Sequence, residues 1–394
     1  MADATFLITV SGRDRVGVGA ELWAALARLS ERGRLSDVAQ ITIRGYLVLC
    51  AEVTGEATLD EAAIRQVLAR QHVEGDGLVA SVERVAADAV GAGRRLLVTL
   101  LAPTISATQL HGVFAAFARH GATCERIVHL ADYPVDCYEL VVRGPDHDAL
   151  RGELTLVARG VGLDLAVQRA GLHRRAKHLV VMDADSTLLQ DEVIDLLAEE
   201  CGCAKEVAEV TAAAMAGEID FAESLRRRVA LLAGLPATVL DDVRTRLRLA
   251  PGARTLLRTL QRLGYVAAVV SGGFAEVLAP LLVDLGVTLL EANHLEVVDG
   301  QLTGRLVGEV LDRPGKARAL RRFADEVGVP LEQTVAVGDG ANDIDMLAVA
   351  GLGVAFNAQA LVREHADAAL SVPYLDAVLY FLGISREEIE AAEW

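Results

Sequence analysis

The chain has 394 residues, 52% of them hydrophobic, and a formal net charge of −17 at pH 7. At roughly 100–200 residues per domain it is long enough for two to four cores, and its apolar content excludes a disordered chain. The acidic balance argues against nucleic-acid or anionic-membrane partners, which are held through basic patches, and obliges any anionic substrate to find a locally positive pocket.

In chain order, Phe6 to Val10 reads as an apolar strand ending at "SGRDRVGVG", and an amphipathic helix follows from about Ala20 to Arg32. The segments "DVAQITIRG" and "YLVLCAEVTG" alternate as a hairpin. "TLDEAAIRQVLARQ" offers Thr58 as N-cap, an acidic first turn and helical apolar spacing, and "LVASVERVA" closes the unit as a strand. The order βαββαβ is ferredoxin-like. It recurs about 90 residues later. "RLLVTLLAP", "ATCERIVHL", "DCYELVVRG" and "LDLAVQRA" are the strands, and "SATQLHGVFAAFARHG" and "DHDALRGELTLVARGVG" the helices. These units span 1–90 and 94–172, and Arg174 to Lys177 reads as a short basic linker.

From residue 178 to 394 the strands become near-continuous apolar runs: "HLVVMDAD", "YVAAVVSGG", "TVAVGDG" and "GLGVAFN". Such runs suit parallel strands buried on both faces, and ligands bind at the carboxyl ends of such strands. Four helical patterns between the first two strands, about 191–250, form an inserted cap. The fold class is therefore α/β: a Rossmann-like parallel-sheet core with a helical cap, preceded by two ferredoxin-like units. Asp3 near the start and the lack of an apolar h-region argue against a signal peptide, and no apolar run reaches the roughly 18 residues of a membrane span. The five cysteines, including Cys201 and Cys203 in a C-G-C, read as free thiols of a cytoplasmic protein.

The chemistry gathers after the strands. Asp183 and Asp185, in "DADSTL", are two carboxylates one residue apart at the end of a buried strand, where burying either one costs several kcal/mol unless it is paired. Asp183 is placed to attack phosphorus, Asp185 to protonate the leaving oxygen and then activate water. A hard cation such as Mg²⁺ would explain the clustering. Ser271 and Gly272 follow the second strand and can hold phosphate oxygens, and Lys316 can neutralise phosphoryl charge. In "AVGDGANDIDML", Asp339 is a natural metal ligand, Asn342 lies on the same loop, and Asp343, with Thr187 of the first loop, is placed to order the metal's surroundings.

In this order the four segments, from Asp183 to about Ser371, resemble the haloacid dehalogenase superfamily of phosphotransferases. The resemblance implies an aspartyl-phosphate on Asp183, acid–base work by Asp185, phosphoryl binding by Ser271 and Lys316, and Mg²⁺ on Asp183, Asp339 and the main-chain carbonyl of Asp185. The cap position and "STLLQDEVIDLLAEECG" are similar to the phosphoserine phosphatase family. That likeness assigns Glu192 to a substrate ammonium, Arg228 to its carboxylate, and Met215 and Phe221 to shielding. From the residues alone, Glu192 could be a first-turn helix acid, Met215 and Phe221 plain core, and Arg226, Arg227 and Arg228 cannot be ranked. The N-terminal units resemble ACT domains: Asp14 and Gly17 match a D-x-x-G ligand loop with Gly19 one step on, whereas "LAPTISATQL" in the second unit has none. Together the resemblances imply hydrolysis of O-phospho-L-serine as the last step of serine synthesis, L-serine as effector and a homodimer. The rival readings are a phosphatase or phosphotransferase for another small phosphate such as phosphohomoserine, and an amino-acid sensor module.

Overall fold

The computed structural model describes residues 4–29, 33–55, 59–70, 73, 77–85, 94–144, 146–171, 174 and 176–392. The chain divides into two units, Met1–Ala92 and Gly93–Trp394. In the first, β1 (Ala4–Arg13), α1 (Val18–Ala27), β2 (Gly33–Ile43), β3 (Tyr46–Gly55), α2 (Glu61–Arg70) and β4 (Leu78–Val85) build an antiparallel sheet ordered β2-β3-β1-β4. Alternation along β1 buries Phe6, Ile8 and Val10 against Leu22 of α1 and Ile64 of α2. The β2–β3 hairpin turns on Arg44 and Gly45, both at positive φ (48° and 74°), as a two-residue turn matched to strand twist requires. Helix α1 ends at Ala27, and the rest of its expected length, like the expected N-cap Thr58, falls on or beside residues outside the described ones.

The second unit begins with the same plan: β5 (Arg95–Ala102), α3 (Ala107–Arg119), β6 (Thr123–Ala131), β7 (Asp136–Arg143), α4 (His147–Val161) and β8 (Asp164–Arg169). Its strands lie in the equivalent order, β6-β7-β5-β8. Ser106 and Gln109 close a reciprocal cap on α3, and Asp146 caps α4.

The sheet does not stop at β8. It runs on into β9 (Leu179–Met182), β10 (Val266–Phe274), β11 (Leu289–Val298), β12 (Gln301–Val307), β13 (Thr334–Gly338), β14 (Gly353–Phe356) and β15 (Ala368–Leu370). The full order is β12-β11-β10-β9-β13-β14-β15-β8-β5-β7-β6, with β10 to β15 parallel through the centre. β9 is fully buried on both faces: Val180 and Met182 face one core, Leu179 and Val181 the other. Because the chain leaves β9 first toward β10 and later toward β13, the crevice above β9 is the topological switch point.

Helices α5 (Val193–Cys201), α6 (Ala204–Met215), α7 (Phe221–Ala230) and α8 (Val239–Arg246) form the cap. Its two linkers pair with each other: Gln190 N–H donates to Arg248 C=O and Ala250 N–H to Leu188 C=O. The core is completed by α9 (Ala253–Arg262), α10 (Ala275–Asp284), α11 (Arg313–Val327), α12 (Ile344–Val349), α13 (Ala360–His365), α14 (Val378–Phe381) and α15 (Arg386–Ala391). Among the described residues, no helix is long and apolar enough to cross a membrane.

Three features depart from the sequence reading. The β11–β12 hairpin was not expected; the first half of β11 pairs with β10, and the second half pairs with β12 beside the cap. There Gly234 N–H donates to Leu302 C=O, Leu302 N–H to Leu235 C=O and Ala237 N–H to Gly300 C=O, each at 2.8 Å. The basic linker is instead structural. Arg174 is buried and ion-paired with Glu139, and buried Lys177 donates to the carbonyls of Glu332 and Thr334, burial pushing its pKa down to about 8. Cys201 and Cys203, expected as free thiols, are joined in a disulfide; the left-handed Gly202 turns the chain so that their Cα atoms lie 5.4 Å apart. The C-terminal segment is core, with Tyr380 and Phe381 buried.

The continuous sheet sets where the chain can be cut. A chain of residues 93–394 keeps every strand of the long sheet. One beginning at residue 171 loses β8, baring β15, whose unpaired backbone then templates association. The shorter chain is expected to melt at least ~5 °C below the longer one and to aggregate, measured by thermal melting and sedimentation. Equal melting temperatures would show that β8 adds nothing to the core.

Candidate active site

Four strand ends converge on the crevice above β9. Asp183 follows β9 directly, its N–H donating to Val337 C=O, so β13 fixes where it leaves the sheet. Its Oδ1 accepts from Ala184 N–H at 2.7 Å, and its Oδ2 lies 2.7 Å from Lys316 Nζ. Ser186 adopts a left-handed φ of 57° that turns the loop back. As a result Thr187 Oγ1 donates to Asp339 Oδ1 at 2.7 Å and Ser186 Oγ to Glu192 Oε1 at 3.0 Å, while Asp185 Oδ1 accepts from Val193 N–H at the start of α5.

Lys316 is fully buried in the first turn of α11, which Asp312 caps through Gly315 N–H. Its Nζ sits 2.7 Å from both Asp183 Oδ2 and Asp343 Oδ1. Asp343 was expected only to order a metal's waters. It also accepts from Lys316 and, through Oδ2, from Gly340 N–H, tying the third loop to the lysine. Gly338 makes this possible, since a Cβ there would lie 2.5 Å from Asp343 Cγ. Oxygens of Asp183, Asp339 and Asp343 lie within 4.8 Å of one another.

One ammonium among these carboxylates leaves the crevice short of positive charge. Burial, with Asp343 beside it, raises Asp183 well above the usual carboxylate range. Burial and the Glu192 carboxylate push Asp185 up to about 7, and burial raises Asp339 to about 6 against its hydrogen bond from Thr187. Burial works to strip the Lys316 proton, but Asp183 and Asp343 outweigh it and hold the ammonium above its ordinary value. An all-oxygen, electron-rich set of this kind suits a hard divalent cation such as Mg²⁺.

The crevice opens into a cavity of about 910 Å³ whose other wall is the cap. Asp183, Asp185, Glu192, Phe221, Arg228 and Asn342 are among its lining. The three consecutive arginines, indistinguishable by composition, separate here: Arg226 and Arg227 are exposed, and Arg228 turns inward. Its buried Nε has no hydrogen-bond acceptor among the described residues. Glu192 is exposed at the N-cap position of α5 without capping it, which leaves its carboxylate to the cavity. Phe221 lies over Gly272, its Cζ 3.1 Å from where a Cβ would stand. Met215 ends α6, and its side chain lies outside the described residues. Ser271 is fully buried and accepts from Gly273 N–H at 2.9 Å, which shapes the loop.

Sequence reasoning missed Asn293. Almost fully buried on β11, it donates to Gly272 C=O and accepts from Leu311 N–H, each at 2.8 Å, clamping the Gly272 loop to the segment leading to Lys316. Its partners are 21 and 18 residues away, so no local pattern marks it. In the first unit, Gly17 (φ 102°) precedes α1 and Asp14 donates its N–H to Gly45 C=O; both residues are exposed, and Gly19 lies within the first turn.

Comparison with known proteins agrees with this layout. A family profile described as haloacid dehalogenase-like hydrolase matches residues 180–348, and ACT-domain profiles match 4–80 and 96–168. A phosphoserine phosphatase of Streptomyces coelicolor is 52% identical over 99% of this chain and 94% of its own length. One of Mycobacterium tuberculosis is 49% identical over 100% and 96%. Among solved structures, a phospho-aspartyl intermediate analogue of phosphoserine phosphatase is 42% identical, covering 52% of this chain and 98% of its own with a TM-score of 0.50. A probable phosphoserine phosphatase from Vibrio cholerae is 33% identical, covering 75% and 88% with a TM-score of 0.57. Identity of this order, running through the ACT segments and the catalytic segment alike, makes this chain a member of the phosphoserine phosphatase family of haloacid dehalogenase-like hydrolases.

Proposed function

We propose that the chain hydrolyses O-phospho-L-serine to L-serine and phosphate through an aspartyl-phosphate on Asp183. The observation that carries this reading is the pairing of two walls. A buried Asp183–Lys316–Asp343 cluster faces a cap that offers one inward guanidinium, Arg228, and the exposed carboxylate of Glu192. A phosphorylated amino acid presents matching charges: phosphate at one end, carboxylate and ammonium at the other.

Asp183 attacks phosphorus while Asp185, whose carboxyl exchanges its proton near neutrality, protonates the departing serine oxygen as the ester P–O bond breaks. Lys316 and the loop shaped by Ser271 hold the equatorial oxygens. Asp185 then takes a proton from water as it attacks phosphorus, the acyl-phosphate P–O bond breaks, and phosphate leaves with the Asp183 carboxylate restored. Asp183, Asp339 and the Asp185 carbonyl would hold Mg²⁺, with Thr187 and Asp343 orienting its surroundings; bound there, it supplies charge neutralisation at the phosphoryl group. Arg228 pairs the substrate carboxylate as a planar fork, Glu192 the ammonium, and Phe221 with Met215 excludes water. Asn342 lines the phosphate end.

We further propose L-serine as effector of the ACT segments and a cytoplasmic homodimer. The edge strand β2, which exposes Leu35, Ile41 and Ile43, suits pairing with a second copy.

The test is phosphate release from phosphoserine, phosphohomoserine and an aryl phosphate, with Mg²⁺ or a chelator. Arg228→Ala is expected to lower kcat/KM for phosphoserine by at least ~10²-fold and for the aryl phosphate by less than ~10-fold, since only the former has a carboxylate to lose. Equal losses would remove the role given to Arg228, and hydrolysis undiminished by the chelator would remove the metal.

A further inference from the structure

A second cavity, of about 330 Å³, lies where the ferredoxin-like part of the second unit meets the catalytic sheet. The end of β5, the C-terminal half of α4 and the start of β8 supply one wall, and α13 with the segment through β15 to Val372 supplies the other. The walls are largely aliphatic, with Leu101, Ala158, Leu165 and Val372 among them, and four charged residues also line the cavity: Arg159, Asp164, Arg363 and Asp367.

Asp164 is only 8% exposed, and burial raises its carboxyl above the usual range. Its Oδ2 accepts from Ser371 N–H at 2.5 Å. Arg363 reaches the other side of the same residue, with Nη1 3.5 Å from Ser371 Oγ. Its buried Nε has no acceptor among the described residues, and no ion pair joins Arg363 to Asp164 within 4.0 Å. The two charges therefore bracket Ser371 across the cavity: they make no direct contact, and the Arg363 charge together with the Ser371 N–H and hydroxyl only partly offsets the burial of Asp164. Neighbouring charges are already engaged: Arg159 pairs with Glu364, and Asp367 with Arg151.

A buried anion and an under-used guanidinium in one small aliphatic cavity select a ligand that carries both charges. A simple anion meets Asp164, a simple cation meets Arg363, and a neutral sugar satisfies neither. The volume is at the low end for ligand pockets and excludes a nucleotide. We propose that this junction is a binding site for a small free α-amino acid, its ammonium on Asp164, its carboxylate on Arg363 and a short side chain against the aliphatic wall.

The same short helix joins this cavity to the catalytic one. Leu361 and Val362 of α13 line the active-site cavity, while Arg363, one residue on, and Ala366, just past the helix, line the junction. A ligand that draws on Arg363 thus acts on a helix that forms part of the substrate's wall, and the coupling must be reciprocal. This coupling, unlike the binding, rests on the phosphatase reading above.

Binding is measured by calorimetry on the full chain with Mg²⁺, using glycine, L-alanine, L-serine and L-valine, with ethanolamine and propionate as single-charge controls. An Arg228→Ala background removes product-like binding in the catalytic cavity. At least one of the four amino acids is expected to bind at up to about 10 mM, and neither control. Asp164→Asn and Arg363→Gln should each weaken binding at least ~10-fold, the scale of one lost charge-assisted contact. Ala369→Leu, which fills the cavity and touches neither charge, should abolish binding while leaving phosphoserine turnover, measured with Arg228 intact, and the melting temperature unchanged. Asp14→Ala should leave the binding intact. The proposal is overturned if none of the four binds, if binding survives Asp164→Asn and Ala369→Leu, or if it is lost in Asp14→Ala instead. Should these binding results hold in a chain that fails to hydrolyse phosphoserine, the site stands and the functional reading falls.

Discussion

Asp183→Asn is expected to reduce kcat for phosphoserine by at least ~10³-fold, the scale lost when a nucleophile goes. The substitution is nearly isosteric and keeps an oxygen for Ala184 N–H, so the loop after β9 should hold its shape. What goes is the oxygen that bonds to phosphorus. Acid quenching should trap radiolabelled phosphate on the wild-type chain and none on the variant. The variant should melt no lower than wild type, because one of three crowded carboxylates, and a buried one, has been removed. Residual turnover within ten-fold of wild type would end the aspartyl-phosphate mechanism, and a marked fall in melting temperature would show that Asp183 is there for structure.

Lys316→Met is expected to do the opposite to stability. It leaves Asp183 and Asp343 facing each other in a buried site, and breaking a buried pair on one side costs about 3–5 kcal/mol. Turnover should fall at least ~10²-fold as well, since the phosphoryl charge loses its fixed cation. The sign of the pH dependence follows from linkage. Without the ammonium, which draws the Asp183 carboxyl down, the folded-state pKa of Asp183 rises further above its unfolded value. The folded chain then binds more protons than the unfolded one across that interval, so stability falls as pH rises through it. The loss should thus be largest near neutrality, shrink toward about pH 5, and be partly recovered by added Mg²⁺. Urea melts at both pH values, with and without the metal, measure it; an equal loss at both would mean that carboxylate repulsion is not the cause.

Three of the residues legible in the sequence share one property: they stand at the end of an apolar run. Asp183, Ser271 and Asp339 announce themselves because a buried parallel strand delivers its next residue to the crevice. Residues that act across long sequence distances were illegible. Asn293, Arg174 and Lys177 take their meaning from partners 18 to 157 residues away. Arg228 was ambiguous for another reason: which face of α7 meets the cavity is decided by packing. The β11–β12 hairpin is different again. Its turn is Asp299-Gly300 at φ 50° and 74°, a D-G between alternating segments, which is itself a local hairpin signal. Strand β15 is three residues long, too short for any periodicity to mark it.

The β11–β12 hairpin also limits how the cap can move. Three backbone hydrogen bonds lace the Gly234–Ala237 turn to it, and Gly304 lets Ala233 approach to where a Cβ would stand 2.9 Å away. With the paired linkers at Gln190 and Arg248 as the other anchor, the cap is hung along one flank, as a door is hung on a post. Arg228 belongs to the hung part, whereas Glu192, bonded to Ser186 of the loop after β9, stays with the frame.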